Sequence, residues 1–315
     1  MEGKIKPYPS VSVVVAVLNR KEEVARCIGA LMGQAYPNYE VLVVDGGSKD
    51  GTWEFLQKEA KRMKKLAALQ DLRPGRNPAR NTGIARAKGK FILFVDSDCI
   101  PEKGWISEML KPFKNGKVGG VIGTTIADRK GLFWYHMENR YLQFIGHNNA
   151  YRTELVRKLG GFDERFRTAK EDTDLSFRVM KAGWEVVYQP SAKMTHTSRR
   201  APVTFRLRNQ RHFVYDGLLR AKHPDLYGKY FRYTDYRNTA IATACLVVCT
   251  ALLPVFPLLP AAVAVAYISA ALSKLLKADG TLKEKAGFLL LAWLIPVARF
   301  YHFTRGFIKF RNARL

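Results

Sequence analysis

Cysteine is scarce in this chain. There are four in 315 residues, Cys27, Cys99, Cys245 and Cys249, with no C-x-x-C pair and no zinc-ligand spacing. That excludes a disulfide scaffold and a zinc module, and it places the soluble part in a reducing compartment. Cys245 and Cys249 stand four apart in an apolar segment and read as packing residues. Negative charge is short as well: 27 acidic residues face 52 basic ones, a net charge of +25. Such an excess asks for an anionic partner, whether nucleic acid, an anionic lipid surface or nucleotide phosphates. Neither G-x-G-x-x-G nor G-x-x-x-x-G-K-[ST] occurs, so dinucleotide and P-loop readings lack their phosphate cradle. Internal repeats and low-complexity tracts are absent too.

One long stretch lacks charge of either sign, from Asn238 to Ser273. It is too long for a buried globular helix and long enough for a membrane segment. Pro254, Pro257 and Pro260 fall in its middle, which predicts two helices joined by a tight turn. A third apolar block, Ala286–Ala298, is bracketed by Lys283, Lys285 and Arg299. It either spans the bilayer by continuing through Tyr301-His302-Phe303 or lies in the interface with Trp293 and Lys309 as anchors. The expected organisation is a soluble domain over 1–200, a basic connector over 201–237 and a membrane region over 238–315. In that region a hairpin takes 238–273 and a third segment 286–304. Lys and Arg before the hairpin, with Lys274 and Lys277 after it, predict an integral protein of the cell membrane whose large domain is cytoplasmic. The N-terminal run Val11–Leu18 is short and ends in Asn19-Arg20, which suits a first strand rather than an export signal.

What the soluble part does contain is a repeated strand–turn–helix pattern. Val11–Leu18 reads as a strand, followed by a helix with Val24, Ile28 and Leu31 on one stripe. Asn19 is expected to cap that helix, with Glu22 three residues on as in a capping box. Tyr39–Val44 is a second strand, ending in Asp45-Gly46-Gly47-Ser48. Leu66–Leu72 is a weaker strand or a helix end, and Arg76–Lys88 a helix. Phe91–Val95 is a buried strand closed by Asp96-Ser97-Asp98, and Trp184–Tyr188 another strand, with His196 beyond it. Strands alternating with helices predict an α/β fold with a mostly parallel sheet, in which ligands bind at the carboxyl ends of strands. Asn19, Asp45 and Asp96/Asp98 all fall there.

Each of these residues has two readings. Asp96 and Asp98 are a capped turn, or a pair that holds a hard divalent cation against a diphosphate. Asp45 satisfies the turn at Gly46-Gly47, or bonds a base or ribose. Arg80 and Asn81 open a solvated helix, or belong to a site. Glu171 and Asp172 complement the dipole of a helix start, or Asp172 is a general base beside a metal-nucleotide site. Asp174 and Arg178, four apart, form an intrahelical ion pair. His196 is structural, or gives an imidazole to the metal or diphosphate.

Five stretches taken together, VSVVVAVLNRKEEV, YEVLVVDGGSKDGT, ARNTGIARAKGKFILFVDSDCIPE, IGHNNAYRTELVRKLGGFDE and EDTDLSFRVMKAGW, resemble glycosyltransferase family 2, inverting enzymes of the GT-A fold, a Rossmann-like architecture. They cover most of residues 11–190 in the family's order. The resemblance implies a nucleotide-diphosphate sugar donor, with Ala16, Leu18, Asn19, Glu22, Asp45, Gly47, Arg80, Asp96, Ser97 and Glu171 lining its pocket. It implies Mg²⁺ or Mn²⁺ at Asp96 and Asp98, beside which His196 is a further candidate ligand from its place in the chain, and it implies Asp172 as catalytic base. Ala16 departs from the family, which often has Pro there.

The segment after His196, with Arg199-Arg200, Arg206, Arg208, Arg211 and Tyr215-Asp216-Gly217, resembles the connector of membrane-anchored exopolysaccharide members. Gln-x-x-Arg-Trp, the mark of processive synthases, is missing; Gln210-Arg211 is a partial echo, which favours single addition. The expected acceptor is a polyprenyl-phosphate-linked or glycan hydroxyl, with anionic lipids as neighbours and no nucleic acid partner. The alternatives are a sugar-phosphate nucleotidyltransferase, whose glycine-rich first loop is missing from Ala16–Arg20, and a non-catalytic, membrane-tethered nucleic-acid-binding protein. Neither motif-bearing aromatic RNA readers nor a helix-turn-helix supports the last.

Overall fold

The computed structural model describes residues 8–231 except 136, 143 and 145, and beyond them 240, 241, 243, 244, 272, 275, 278–291 and 294–311. The chain forms two compact units, Met1–Asp128 with Met137–Thr197, and Arg129–His136 with Ser198–Leu315. The excursion at 129–136 leaves no mark in the sequence pattern.

In the first unit, β1 (Val11–Val17), α1 (Lys21–Met32), β2 (Tyr39–Asp45), α2 (Thr52–Arg62), β3 (Leu66–Gln70), α3 (Arg76–Arg86) and β4 (Phe91–Asp96) alternate as strand and helix. There follow β5 (Cys99–Pro101), α4 (Trp105–Leu110) and β6 (Val118–Ala127). A two-residue strand of the second unit, β7 (Trp134–Tyr135), interrupts the run before β8 (Asn148–Arg152), α5 (Thr153–Lys158), α6 (Glu171–Lys181) and β9 (Glu185–His196). One sheet runs β3-β2-β1-β4-β8-β6-β9-β5. Its first four strands and the β6–β9 pair are parallel, whereas β8 runs antiparallel to β4 and β6, and β5 antiparallel to β9.

The central strands are apolar on both faces because helices cover both, as the continuous runs Val11–Val15 and Phe91–Val95 require. Helix α1 buries Val24, Cys27, Ile28 and Leu31, spaced at three and four residues, against Val13, Val15, Val41 and Leu93. On the other face α3 lies so close to β1 that a Cβ on Gly83 would overlap Cγ1 of Val14. Gly83→Ala is therefore expected to destabilise the fold by about 1–3 kcal/mol, as overpacking does. A denaturant midpoint equal to that of the parent protein would contradict that packing.

Register places the site. Val17 pairs with Asp45 and Ala16 with Asp96, so the ends of β1, β2 and β4 finish level. Cys99 pairs with His196 in β5–β9. Strand β9 is longer than the expected Trp184–Tyr188: after a register shift opposite Gly123 and Thr124 it continues to His196, which is its last residue and does not lie beyond it. The shift falls at Gln189-Pro190-Ser191, where proline and polar side chains break the apolar pattern.

The second unit pairs β7 with β10 (Arg199–Arg200), Trp134 opposite Arg200 and Tyr135 opposite Arg199. Helices α7 (Val203–Asn209), α8 (Val214–Lys222), α9 (Pro224–Tyr230), α10 (Leu282–Leu291) and α11 (Leu294–Phe310) follow. Helices α8 and α11 meet at Gly217 and Gly306, where a Cβ on either would overlap backbone of the other helix; small residues permit that approach. The expected hairpin over 238–273 lies almost wholly outside the described residues, as do Cys245, Cys249 and Trp293. Among the described residues no single helix is long and apolar enough to cross a membrane. Leu282–Leu289 and Leu294–Phe310 pass that test as a pair bent by 56°. The third apolar segment, expected as one stretch over 286–304, is thus a broken pair.

Candidate active site

Arg80 is the centre of the site. It lies in α3, almost wholly buried, and its guanidinium reaches three carboxylates: Nη2 to Asp96 Oδ1 at 2.8 Å, and Nη1 to Asp172 Oδ1 at 3.1 Å and Glu171 Oε1 at 3.3 Å. Nη2 also donates to the Gly146 carbonyl at 3.3 Å. Arg76, one helical turn earlier and on the solvent side, approaches Glu171 Oε1 at 3.3 Å. Asp96 comes from the end of β4, while Glu171 and Asp172 open α6, where helix N–H groups favour negative charge.

Two guanidinium cations face three carboxyl groups. The excess of carboxyl groups opposes full ionisation of the cluster. Burial, then the charge of Glu171, pushes the Asp172 carboxyl up to about 8, against the pull of Arg80 and Arg76. Burial also opposes ionisation of Asp96, but Arg80 and Arg76 overcome it and hold that carboxyl well below the usual range. Gly146 leaves room for Asp172, since a Cβ there would overlap the carboxylate. Glu171 Oε2 is buried without a hydrogen-bond partner among the described residues.

Beside this cluster stands Asp98. Its Oδ2 takes a bond from Arg20 Nη1 at 3.2 Å, and its Oδ1 lies 3.6 Å from His196 Nε2. Burial and the neighbouring Asp96 raise its pKa. Asp98, Cys99 and His196 present ligand atoms within 4.8 Å of one another. A carboxylate and an imidazole suit Mg²⁺ or Mn²⁺. Cys99 does not: burial holds its thiol well above the ordinary value, and a neutral thiol is a poor ligand for a hard ion. The residues fit a cation at Asp98 and His196, with Asp96 alongside but directed through Oδ1 to Arg80. His147 was not singled out from sequence. It packs its ring 5.7 Å from that of His196, is buried, and is pushed by burial down to about 4, so it is neutral. Its Nε2 has no hydrogen-bond partner among the described residues.

The strand ends of β1 and β2 supply a third group. The expected capping box is overturned. Arg20, not Asn19, precedes α1; Glu22 is exposed, and the Lys21 amide donates to Asp50 Oδ2 from the next loop, at 3.2 Å. Asn19 instead has a left-handed backbone, φ 51°, and its Oδ1 accepts from Lys49 N at 2.7 Å. This ties the β1 and β2 loops together. Asp45 is buried and accepts from Gly47 N and Ser48 N at 3.0 Å each, and from Gln70 Nε2 at 3.3 Å. The turn reading of Asp45 is thereby realised. Gly47 has φ 89°, a conformation natural to glycine. Leu18 is exposed, Ala16 half-buried and Ser97 buried. Asn19 and Lys170 are the two non-glycine residues with positive φ among the described residues, and Lys170 directly precedes Glu171. Backbone strain of this kind gathers at functional sites. The expected Asp174–Arg178 pair forms, at 2.8 Å.

A parallel-rich α/β sheet with acidic groups gathered at its strand ends defines a ligand-binding α/β domain. Residues 12–173 match the model of the family described as glycosyl transferase family 2. The chain belongs to that family and is a glycosyltransferase. It is 42% identical over 210 residues to glycosyltransferase AglE of Haloferax volcanii, covering 61% of this chain and 68% of that protein. It is 27% identical over 209 residues to a beta-monoglucosyldiacylglycerol synthase of Trichormus variabilis, covering 59% of this chain and 44% of the relative. Among solved structures, mannosyltransferase PcManGT from Pyrobaculum calidifontis, in complex with GDP-Man and Mn2+, superposes with a TM-score of 0.69 at 20% identity. That match covers 93% of this chain and 87% of that one. At that identity the likeness speaks for the GT-A-like fold alone.

Proposed function

We propose that this protein moves a sugar, with inversion, from a nucleotide-diphosphate sugar to a hydroxyl of a lipid-linked or glycan acceptor at the cytoplasmic face of a membrane. The observation that carries the reading is the buried Asp172 carboxyl at the start of α6, held 3.1 Å from Arg80 beside the Asp96/Asp98 strand end. The GDP-Man and Mn2+ bound by the Pyrobaculum structure support a nucleotide-sugar donor and a divalent ion. The name of the Trichormus relative supports a lipid acceptor. The bent apolar pair at the C-terminus supports a membrane.

In this reading the acceptor oxygen attacks the anomeric carbon and gives its proton to the ionised Asp172. The bond from that carbon to the diphosphate oxygen breaks, and its electron pair leaves with the nucleoside diphosphate. Arg80 holds Asp172 in place and restrains its basicity until the site is loaded. Glu171 and Asp96 orient Arg80 in turn. A divalent ion bound at Asp98 and His196 would supply charge stabilisation to the leaving diphosphate. Asn19 and Asp45 shape the loop on which a nucleoside would rest.

The test is a panel of UDP- and GDP-sugars with Mg²⁺ or Mn²⁺, read by thermal shift and by hydrolysis. At least one donor is expected to raise the melting temperature in a metal-dependent way, and Asp98→Ala is expected to remove that shift. A panel without response, or an unchanged shift in Asp98→Ala, would count against the assignment.

A further inference from the structure

A pocket that this reaction leaves unused lies wholly inside the second unit. It is a cavity of about 330 Å³ whose walls include Trp134 and Tyr135 of β7, Phe205 and Arg206 of α7, and Ile295 and Arg299 of α11. Tyr135 and Phe205 meet edge to face, ring centroids 5.3 Å apart. Arginines gather on these rings. Arg199 lies 5.0 Å from Tyr135 and 5.1 Å from Phe205, and Arg129 and Arg200 lie 5.1 and 5.4 Å from Trp134. Arg200 is balanced by Glu284 at 2.7 Å, and Arg299 donates to Gln210 Oε1 at 2.9 Å.

Arg206 is held differently. Its Nη2 reaches the carbonyls of Gly131 and Trp134 only at 3.4 and 3.5 Å, and its Nε is buried with no hydrogen-bond partner among the described residues. Burial lowers its pKa, and among the described residues no ion pair to a carboxylate offsets the loss of solvent. Arg206 is half-buried, and a guanidinium whose Nε is shut off from water without a partner gains when an anion completes it. The planar fork of arginine matches phosphate oxygens. Asn209, Gln210 and Arg299 add polar lining, α11 belongs to the apolar bent pair, and Trp134, Tyr135, Phe205 and Ile295 form apolar walls. An inorganic anion would leave those walls uncovered; an amphiphile with a phosphate head covers them.

We infer that this pocket binds the phosphate of an apolar-chain phosphate ester, the lipid-linked acceptor, with Arg206 as its anchor and Arg299 beside it. The inference rests on the lipid-linked reading of the acceptor given above. A phospholipid headgroup shares the same chemistry, and the test separates the two.

The full chain, in neutral detergent, is titrated with farnesyl phosphate, farnesol, inorganic phosphate and phosphatidylglycerol vesicles, following tryptophan fluorescence. Trp134→Phe assigns the signal to the pocket. Farnesyl phosphate is expected to saturate a Trp134-dependent change. Farnesol and inorganic phosphate should each bind about tenfold more weakly or worse, since each keeps only part of the contact. Arg206→Gln should weaken farnesyl phosphate by about tenfold and Arg206→Lys should recover part of that loss, with the donor-induced thermal shift unchanged in both. Farnesyl phosphate binding that ignores Arg206→Gln would overturn the inference. So would phosphatidylglycerol displacing farnesyl phosphate from the wild-type protein at equal concentration, which also decides the matter if the variants do not fold. The titration contains no nucleotide sugar, so it reads independently of the donor panel, and the two readings fail separately.

Discussion

Asp172→Asn is expected to lower kcat by about 10²–10⁴-fold, the contribution of a positioned general base, while the donor-induced thermal shift survives. The amide keeps the shape and the bond to Arg80's neighbourhood but cannot accept the acceptor's proton. The same group sets the pH dependence. Asp172 must be ionised to work, so kcat/KM for the wild-type protein should rise with pH through about 8. Stability should move the other way. The folded state holds this proton more tightly than the unfolded chain does. Its stabilising contribution is complete below the ordinary aspartate value of 3.8 and is lost as pH rises through about 8. Asp172→Asn should remove both the activity limb and that part of the stability profile. An acid limb that persists in the variant would assign the base to another group.

Arg80→Met should produce the largest loss of stability in the first unit. It leaves Asp96, Glu171 and Asp172 facing Arg76 alone, and stripping one partner from a buried ionic cluster costs about 3–5 kcal/mol. For a unit of this size the melting temperature should fall by roughly 10 °C. Arg80→Lys should fall between, because a single ammonium cannot reach carboxylates of β4 and α6 with the same fork. Transfer should fail in Arg80→Met, where Asp172 loses the cation that positions it, and fall in Arg80→Lys, where the ammonium positions it less well. A melting temperature for Arg80→Met equal to that of the parent protein would mean that the cluster is not held by this residue.

How much of this was legible in the chain depends on the range of the contacts. Asp96-Ser97-Asp98 could be placed at a strand end because Phe91–Val95 is an unbroken apolar run, and the structure ends β4 at Asp96. The acids at 171, 172 and 174 could be placed at a helix start because Asp174 and Arg178 stand four apart, the spacing of an intrahelical ion pair. Both inferences use neighbours within a few residues. The Asn19–Glu22 cap failed because a competitor came from another loop: β1–β2 pairing brings Asp50 to the Lys21 amide. His196 was set outside a strand because the polar bulge near Pro190 hides the continuation of β9.

The family resemblance puts Arg80 in the pocket, yet its actual office, three carboxylates on one guanidinium, joins positions 91 and 92 residues apart. No local pattern encodes that. Arg20 on Asp98 and His147 against His196 were invisible for the same reason. Asp45 shows a subtler limit: its turn bonds and a nucleoside contact use the same carboxylate, so sequence spacing serves both equally.

The most direct test of the central claim is the configuration of the product. A nucleotide sugar that responds in the donor panel is turned over by the wild-type protein in the presence of Mn²⁺, and the anomeric proton coupling of the new glycoside is read by NMR. A single in-line displacement assisted by Asp172 predicts a product inverted relative to the donor, with no product from Asp172→Asn. A product that retains the donor's configuration would contradict the account, because one base acting across from the leaving diphosphate cannot deliver it.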